Sequence, residues 1–292
     1  MFQMARKDME GINFFLLENV CGHGKRQNDV LFSTMQSASS SEQQDKQKRH
    51  VVFFPGDIQN FYKMMIAHEA NYKWSCWSYE DTCALLHHKF VDSYVWLVKP
   101  SRIHDGTFSC YDNFLHCNMF GAPVSFDNVN GLMHLHNLIV TAIDNVNQLH
   151  FKKQTVLPIS KNVPLVAVGF SKGCVVLNQL VYELEHVKTI SEITEMLRMT
   201  RALYWLDGGH CLTSKVWITE EKPLQQLTDL GVKVRVHVTP RQVKDPKRSY
   251  IGVEEAIFVD LLKRKGADVE ECLHFADEEP SLEQHFRVLK VF

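Results

Sequence analysis

Apolar and polar positions along the chain fall into short continuous hydrophobic runs that alternate with longer stretches of helical period. Val51-Val52-Phe53-Phe54, stopped by Pro55-Gly56, reads as a strand buried on both faces, as does Tyr94 to Val98 before Lys99-Pro100. Leu165 to Val168 and Ala202 to Leu206 repeat that signature, and Val232 to Val238 and Val269 to Phe275 read as further strands. Between them, residues 60 to 72, 79 to 90, 131 to 149, 172 to 186, 190 to 199, 221 to 230 and 252 to 265 carry helical spacing, and a last helix starts near 281. In 131 to 149 the stripe is Leu132, Leu135, Leu138, Ile139, Ala142, Ile143 and Val146. Gly231 and Gly266 stop two of the helices just before the next strand. Strands alternating with helices predict right-handed βαβ units and a mainly parallel sheet covered on both faces.

Two regions depart from this rhythm. Ile12–Leu17 and Val30–Phe32 predict two short strands around a turn at Gly22-His23-Gly24, and residues 33–49 are a Ser/Gln-rich stretch too polar to offset ordering entropy. The expected organisation is therefore an N-terminal extension over 1–32, a flexible linker over 33–49 and one domain over 50–292. Ser101 to Asn130 separates a strand from its helix with little regular pattern, yet holds Phe108, Tyr111, Phe114, Phe120 and Phe126. So aromatic a stretch predicts a packed loop, placed at the mouth of a site and selecting its substrate.

Composition narrows the function classes. The chain has 292 residues, 45% of them hydrophobic, and a formal charge of −2, with basic residues scattered rather than gathered on one face. Nucleic acid is excluded as an expected partner on that ground. No apolar run approaches the roughly 18 residues a bilayer-spanning helix needs. Met1 to Val20 has one apolar patch flanked by Asp8, Glu10 and Glu18, too short and acidic for a signal peptide and without the Arg-rich character of a transit peptide. The 8 cysteines include no Cys-x-x-Cys pair and predict reduced thiols. Among the 15 histidines, His87-His88 and His134-x-His136 have the wrong helical phase to share a face, so neither metal nor cofactor is expected.

The chemistry concentrates in VPLVAVGFSKGCVVLNQLVYELEH, where a buried strand runs into Gly169-Phe170-Ser171-Lys172-Gly173 and an apolar-faced helix follows at once. This strand-turn-helix setting predicts an α/β-hydrolase fold with Ser171 as nucleophile on a strained elbow, and Gly169 and Gly173 where strand and helix crowd. The oxyanion hole needs the N–H of Lys172 and a second donor, Asp57 or Ile58, from the turn after Phe54. A triad acid and base should follow the serine in chain order. Asp245, in the loop after KVRVHV, is the favoured acid and Asp207, ending ALYWLD, its rival. For the base, His274 is favoured over His285, with His210 an outside candidate. These assignments predict an esterase or thioesterase acting on a small acyl substrate. The alternative is a catalytically silent scaffold that binds a protein partner or metabolite.

FPGDIQNFY, FSCYDNFLHCNMFGAP, GFSKGCVVLNQL, YWLDGGH, HVTPRQVKDP and HFADEEPSLEQHFRV together resemble an animal family of mitochondrial, α/β-hydrolase-like proteins named after a human chromosome 2 open reading frame. The resemblance covers roughly residues 50 to 292. It implies a mitochondrial address, where the sequence by itself gives only a cytoplasmic default, and a role supporting respiratory-chain function. It secures no site residue beyond Ser171.

Overall fold

The computed structural model describes residues 9–35, 48–151, 158–210 and 214–292. Eight strands form one sheet: β1 (Ile12–Cys21), β2 (Gln27–Met35), β3 (Arg49–Phe54), β4 (Ser93–Val98), β5 (Leu165–Phe170), β6 (Thr200–Leu206), β7 (Lys233–Val238) and β8 (Val269–Leu273). Their spatial order is β1-β2-β4-β3-β5-β6-β7-β8. β1 pairs with β2, and β2 with β4, antiparallel; the β4–β3, β3–β5, β5–β6, β6–β7 and β7–β8 pairs are parallel. The sheet therefore continues through the two strands that the sequence sets aside as an N-terminal extension. β2 joins the core because Val30 and Phe32 are fully buried beside Trp96 of β4, with the Phe32 and Trp96 rings stacked 4.3 Å apart. β2 also runs to Met35, past the expected start of the linker; residues 36–47 of that linker lie outside the described residues.

Each central strand divides its side chains between two cores, as the uninterrupted apolar runs require. On β3, Val52 and Phe54 pack into one cluster while Val51 and Phe53 pack into the other. The larger core is covered by α2 (Gly131–Phe151), α3 (Cys174–Tyr182), α4 (Ser191–Met199), α5 (Glu221–Asp229) and α6 (Tyr250–Arg264). The opposite face is covered by α1 (Tyr79–Lys89) and α7 (Leu282–Val291). Ser78 caps α1 by accepting from the Asp81 N–H, and Ser281 with Gln284 forms a reciprocal capping box on α7. This architecture is the expected α/β-hydrolase fold. The helix read over 60–72 is instead a short helix at Tyr62–Ile66 followed by a 3₁₀ turn at Tyr72–Trp77.

Residues 101–130 hold more regular structure than their pattern suggests. Arg102–His104 pairs with Phe108–Cys110, and His116–Cys117 with Pro123–Ser125, as two small antiparallel ladders. Tyr111 and Phe114 are buried edge-on against Phe54, and the Tyr111 hydroxyl donates to the Pro55 carbonyl at 2.6 Å. These contacts fold the segment back onto the C-terminal end of β3.

Candidate active site

Ser171 follows β5 directly and holds a left-handed backbone, φ 52°, an uncommon state for a residue with a Cβ. The crowding around it explains the neighbouring glycines. A Cβ on Gly173 would lie 1.9 Å from the Phe54 carbonyl oxygen, and one on Gly169 would lie 2.9 Å from the Cys174 backbone. Gly56 is as constrained, since its Cβ would meet the Ser171 Cβ at 2.6 Å. The turn after β3 thus touches the elbow itself.

Register places the next group. Phe170 on β5 pairs with Leu206 on β6, so Ser171 and Asp207 emerge side by side from neighbouring strand ends. Asp207 is fully buried and also left-handed, φ 48°. Its carboxylate accepts from the Thr239 N–H and the Thr239 hydroxyl, each at 2.7 Å, and lies 2.6 Å from His285 Nδ1. His285 sits in the first turn of α7, 5% exposed, with its ring 4.7 Å from that of Phe170, the residue preceding Ser171. Asp207 and His285 therefore meet at the C-terminal end of β6, beside the end of β5 that carries Ser171, in the chain order Ser171, Asp207, His285. The Ser171 hydroxyl makes no hydrogen bond to a histidine among the described residues.

Asp245 and His274, the favoured acid and base, are not brought together. Asp245 caps the 3₁₀ turn Pro246–Arg248, accepting from the Lys247 N–H at 2.9 Å and from Arg248 Nε at 3.0 Å. Those donors hold its carboxyl below the usual range. His274 lies just past the end of β8, which stops at Leu273, and its Nε2 is 2.9 Å from His237 Nδ1. The spacing of one strand cannot show this, because it is the β7–β8 register that sets Cys272 beside His237 and leaves His274 on the same face. His210 is buried, with Nε2 3.1 Å from the Lys215 carbonyl, and desolvation lowers its pKa to about 4.

The two oxyanion candidates separate as well. The Ile58 N–H is committed to the Thr107 carbonyl at 2.7 Å and is unavailable to a substrate. The Asp57 N–H donates to no described residue. The Lys172 N–H lies in the first turn after the elbow, where helical N–H groups have no partner within the helix. The Lys172 side chain is fully buried, with its ammonium 3.0 Å from Asp57 Oδ2 and donating to the Phe120 carbonyl at 2.7 Å. Asp57 also accepts from the Ser109 N–H at 2.8 Å. Burial raises the Asp57 carboxyl, and the Lys172 ammonium opposes that rise.

Three supporting residues were missed from sequence. Thr239 is one; its signal is a hydroxyl in the first position after β7, at the strand end where an acid would need donors. Gln242 Nε2 donates to the Asp207 carbonyl at 3.3 Å. Gln59 accepts from the Gly56 N–H at 3.0 Å and donates to the Trp77 carbonyl and the Thr82 hydroxyl, fixing the turn that carries Asp57.

Comparison with known proteins agrees with the fold and gives the lineage. The structure of esterase Est22 with p-nitrophenol is similar at a TM-score of 0.50 and 13% identity, covering 96% of this chain and 77% of that one, a likeness of fold alone. Mitochondrial protein C2orf69 of Homo sapiens is 36% identical over 327 residues, covering 98% of this chain and 84% of the human one. Its homolog in Danio rerio is 40% identical over 278 residues, covering 91% of this chain and 82% of that one. These relatives are named as mitochondrial proteins, and the address of this chain is mitochondrial. No helix among the described residues is long and apolar enough to cross a membrane. The C2orf69 family model matches residues 16–163 and 144–268, and the chain belongs to that family.

Proposed function

We propose that this protein is a serine hydrolase of the esterase or thioesterase type, acting on a small acyl substrate through Ser171, His285 and Asp207. The buried 2.6 Å contact between His285 Nδ1 and Asp207, beside a left-handed Ser171, carries this reading. Asp207 fixes the tautomer in which Nδ1 holds the proton, leaving Nε2 free to accept one from the Ser171 hydroxyl. Ser171 Oγ then attacks the acyl carbon, and the N–H groups of Lys172 and Asp57 stabilise the oxyanion. His285 returns the proton to the departing alcohol or thiol, and water deacylates the enzyme by the same path in reverse. Loss of one oxyanion donor typically costs about 3 kcal/mol in the barrier. The aromatic 101–130 segment supplies the selective wall, since its Phe120 carbonyl and Phe108 ring both lie on Lys172. In the mitochondrion, such an activity supports respiratory-chain function, as the resemblance implies.

A fluorophosphonate probe tests the reading. The folded protein should be labelled and should hydrolyse short acyl esters, and Ser171→Ala should abolish both. Folded protein that neither labels nor turns over any acyl ester or thioester is a silent scaffold instead.

A further inference from the structure

Outside the serine site, one side-chain group among the described residues gathers three metal-type ligands: His237, Cys272 and His274, whose nearest ligand atoms all lie within 4.8 Å of one another. The fold assembles it from strand geometry. His237 on β7 and Cys272 on β8 are register partners in adjacent parallel strands, and His274 is two residues beyond Cys272 on the same face. That face is covered by α1 and α7 rather than by α6. His237 Nδ1 is 2.9 Å from His274 Nε2, and Cys272 Sγ is 3.7 Å from His274 Nδ1. In a tetrahedral zinc site, bonds of about 2.0–2.1 Å to nitrogen and about 2.3 Å to sulfur put neighbouring ligand atoms between 3 and 4 Å apart. The two contacts just given use different nitrogens of His274, and an ion takes only one. With one ligand atom from each residue the set lies within 4.8 Å, a little wider than a zinc site, and side-chain rotation would have to close it.

We propose that His237, Cys272 and His274 form a binding site for a borderline-soft divalent metal ion, zinc first among them. Two imidazoles and a thiol select zinc and its neighbours over magnesium or calcium, which take oxygen ligands. The surroundings fit. His237 is buried and held near a pKa of about 3 by desolvation, with His274, Lys89 and Arg235 adding to the effect. His274 is lowered chiefly by desolvation, with Lys89 adding and Asp207 opposing. Both rings are therefore neutral, the state a metal requires, across the physiological range. Cys272 is a free, half-buried thiol. Loading releases its proton, so the filled site carries a net charge of +1. Cys272 and His274 are half-exposed, which leaves an entry path and room for a water as fourth ligand. Bound metal would bridge β7 to the edge strand β8, the strand whose exit leads into α7 and His285. Spacings within a helix exclude metal from the sequence; this ligand set comes from one i,i+2 pair on a strand and one cross-strand neighbour.

The test needs no acyl substrate. The full chain, stripped with a chelator and titrated with zinc alone, should bind one ion per chain and gain several degrees in Tm. Cobalt in its place should give a thiolate-to-metal charge-transfer band. Cys272→Ser should abolish that band and weaken zinc binding at least tenfold, and His274→Gln should weaken it similarly. Both positions are half-exposed, and far-UV circular dichroism confirms that each variant is folded. Should the parent take up no stoichiometric zinc, or should both variants keep the parent's affinity, the site is wrong and the three side chains are a hydrogen-bonded cluster only.

Discussion

The Asp207 carboxylate is fully enclosed and has three hydrogen-bonded neighbours: the Thr239 amide, the Thr239 hydroxyl and His285. Asn at this position keeps the shape but offers an amide NH₂ where Nδ1–H of His285 needs an acceptor, so the imidazole adopts the wrong tautomer. Asp207→Asn should lower kcat for a short acyl ester by about 10⁴-fold, the loss typical of a triad acid. Asp245→Asn should leave kcat within about twofold, because Asp245 meets only Arg248 and Lys247, in a partly exposed pairing of the kind usually worth about 0–1 kcal/mol. Steady-state kinetics on the two variants decides between them; equal losses would mean that Asp207 is a structural acid. Lys172 makes a second claim at this scale. Its buried ammonium ties the Asp57 turn to the 101–130 segment through the Phe120 carbonyl. Lys172→Met should destabilise by about 3 kcal/mol, since breaking a buried pair strands the remaining charge. Adding Asp57→Asn should recover part of the lost Tm, which independent effects would not do.

At the scale of elements, α6 packs on β7 and β8 with a carboxyl turned inward. Glu255 is 5% exposed, one of its side-chain oxygens has no partner among the described residues, and desolvation with nearby Glu271 raises its pKa to about 7. A raised carboxyl favours the protonated native state. The stability it supports is present in full below its unfolded value near 4.5 and is lost as pH rises through about 7. Glu255→Gln should therefore remove this loss, raising Tm at pH 8 relative to the parent while changing it little at pH 5; a Tm difference independent of pH would exclude the titration. Elements of this kind are legible in sequence because their signals are local. The strand runs end at Pro55-Gly56 or Lys99-Pro100, and Gly231 and Gly266 stop α5 and α6 where the pattern says. The elbow is legible because Gly169 and Ser171 answer to the local strand-turn-helix unit and the Gly-x-Ser-x-Gly spacing marks it, although Gly173 is required by the Phe54 carbonyl of β3. The acid and base are not. Ser171 and Asp207 are neighbours only through the Phe170–Leu206 register, and His274 is drawn to His237 only through the β7–β8 register. Such pairings lie between strands, where a one-dimensional pattern carries no information. The clue that remained local was SLEQ, whose capping box fixes the start of α7 and hence turns His285, Phe286 and Leu289 inward.

Across the whole molecule, buried neutral histidines set the acid limit of stability. His50 on β3 accepts from Trp96 Nε1 and meets the Ser160 carbonyl, His87 on α1 meets the Ser33 hydroxyl of β2, and His134 on α2 accepts from the His23 N–H of the β1–β2 turn. With His210 and His237 they occupy both faces of the sheet, from the antiparallel edge to the β7 end. Desolvation is the largest cause of every shift: His50, His87 and His210 fall to about 4, His134 and His237 to about 3. Each has an unfolded value near 6.5, so the unfolded chain binds more protons than the native one between roughly pH 6.5 and 3. Stability from these five groups is fully present above pH 6.5 and is lost as pH falls through their native values. Glu255 works in the opposite direction over part of the same range, but as one group against five. Calorimetric Tm should accordingly fall by about 10 °C or more between pH 6.5 and 4. His87→Gln, which keeps a polar partner for Ser33 and removes one titrating ring, should flatten part of that slope. A Tm that holds constant down to pH 4 would falsify the neutral-histidine account. Because the five rings couple both faces of one sheet, the loss should be seen together by a probe of the β1–β2 edge and by one at Trp205.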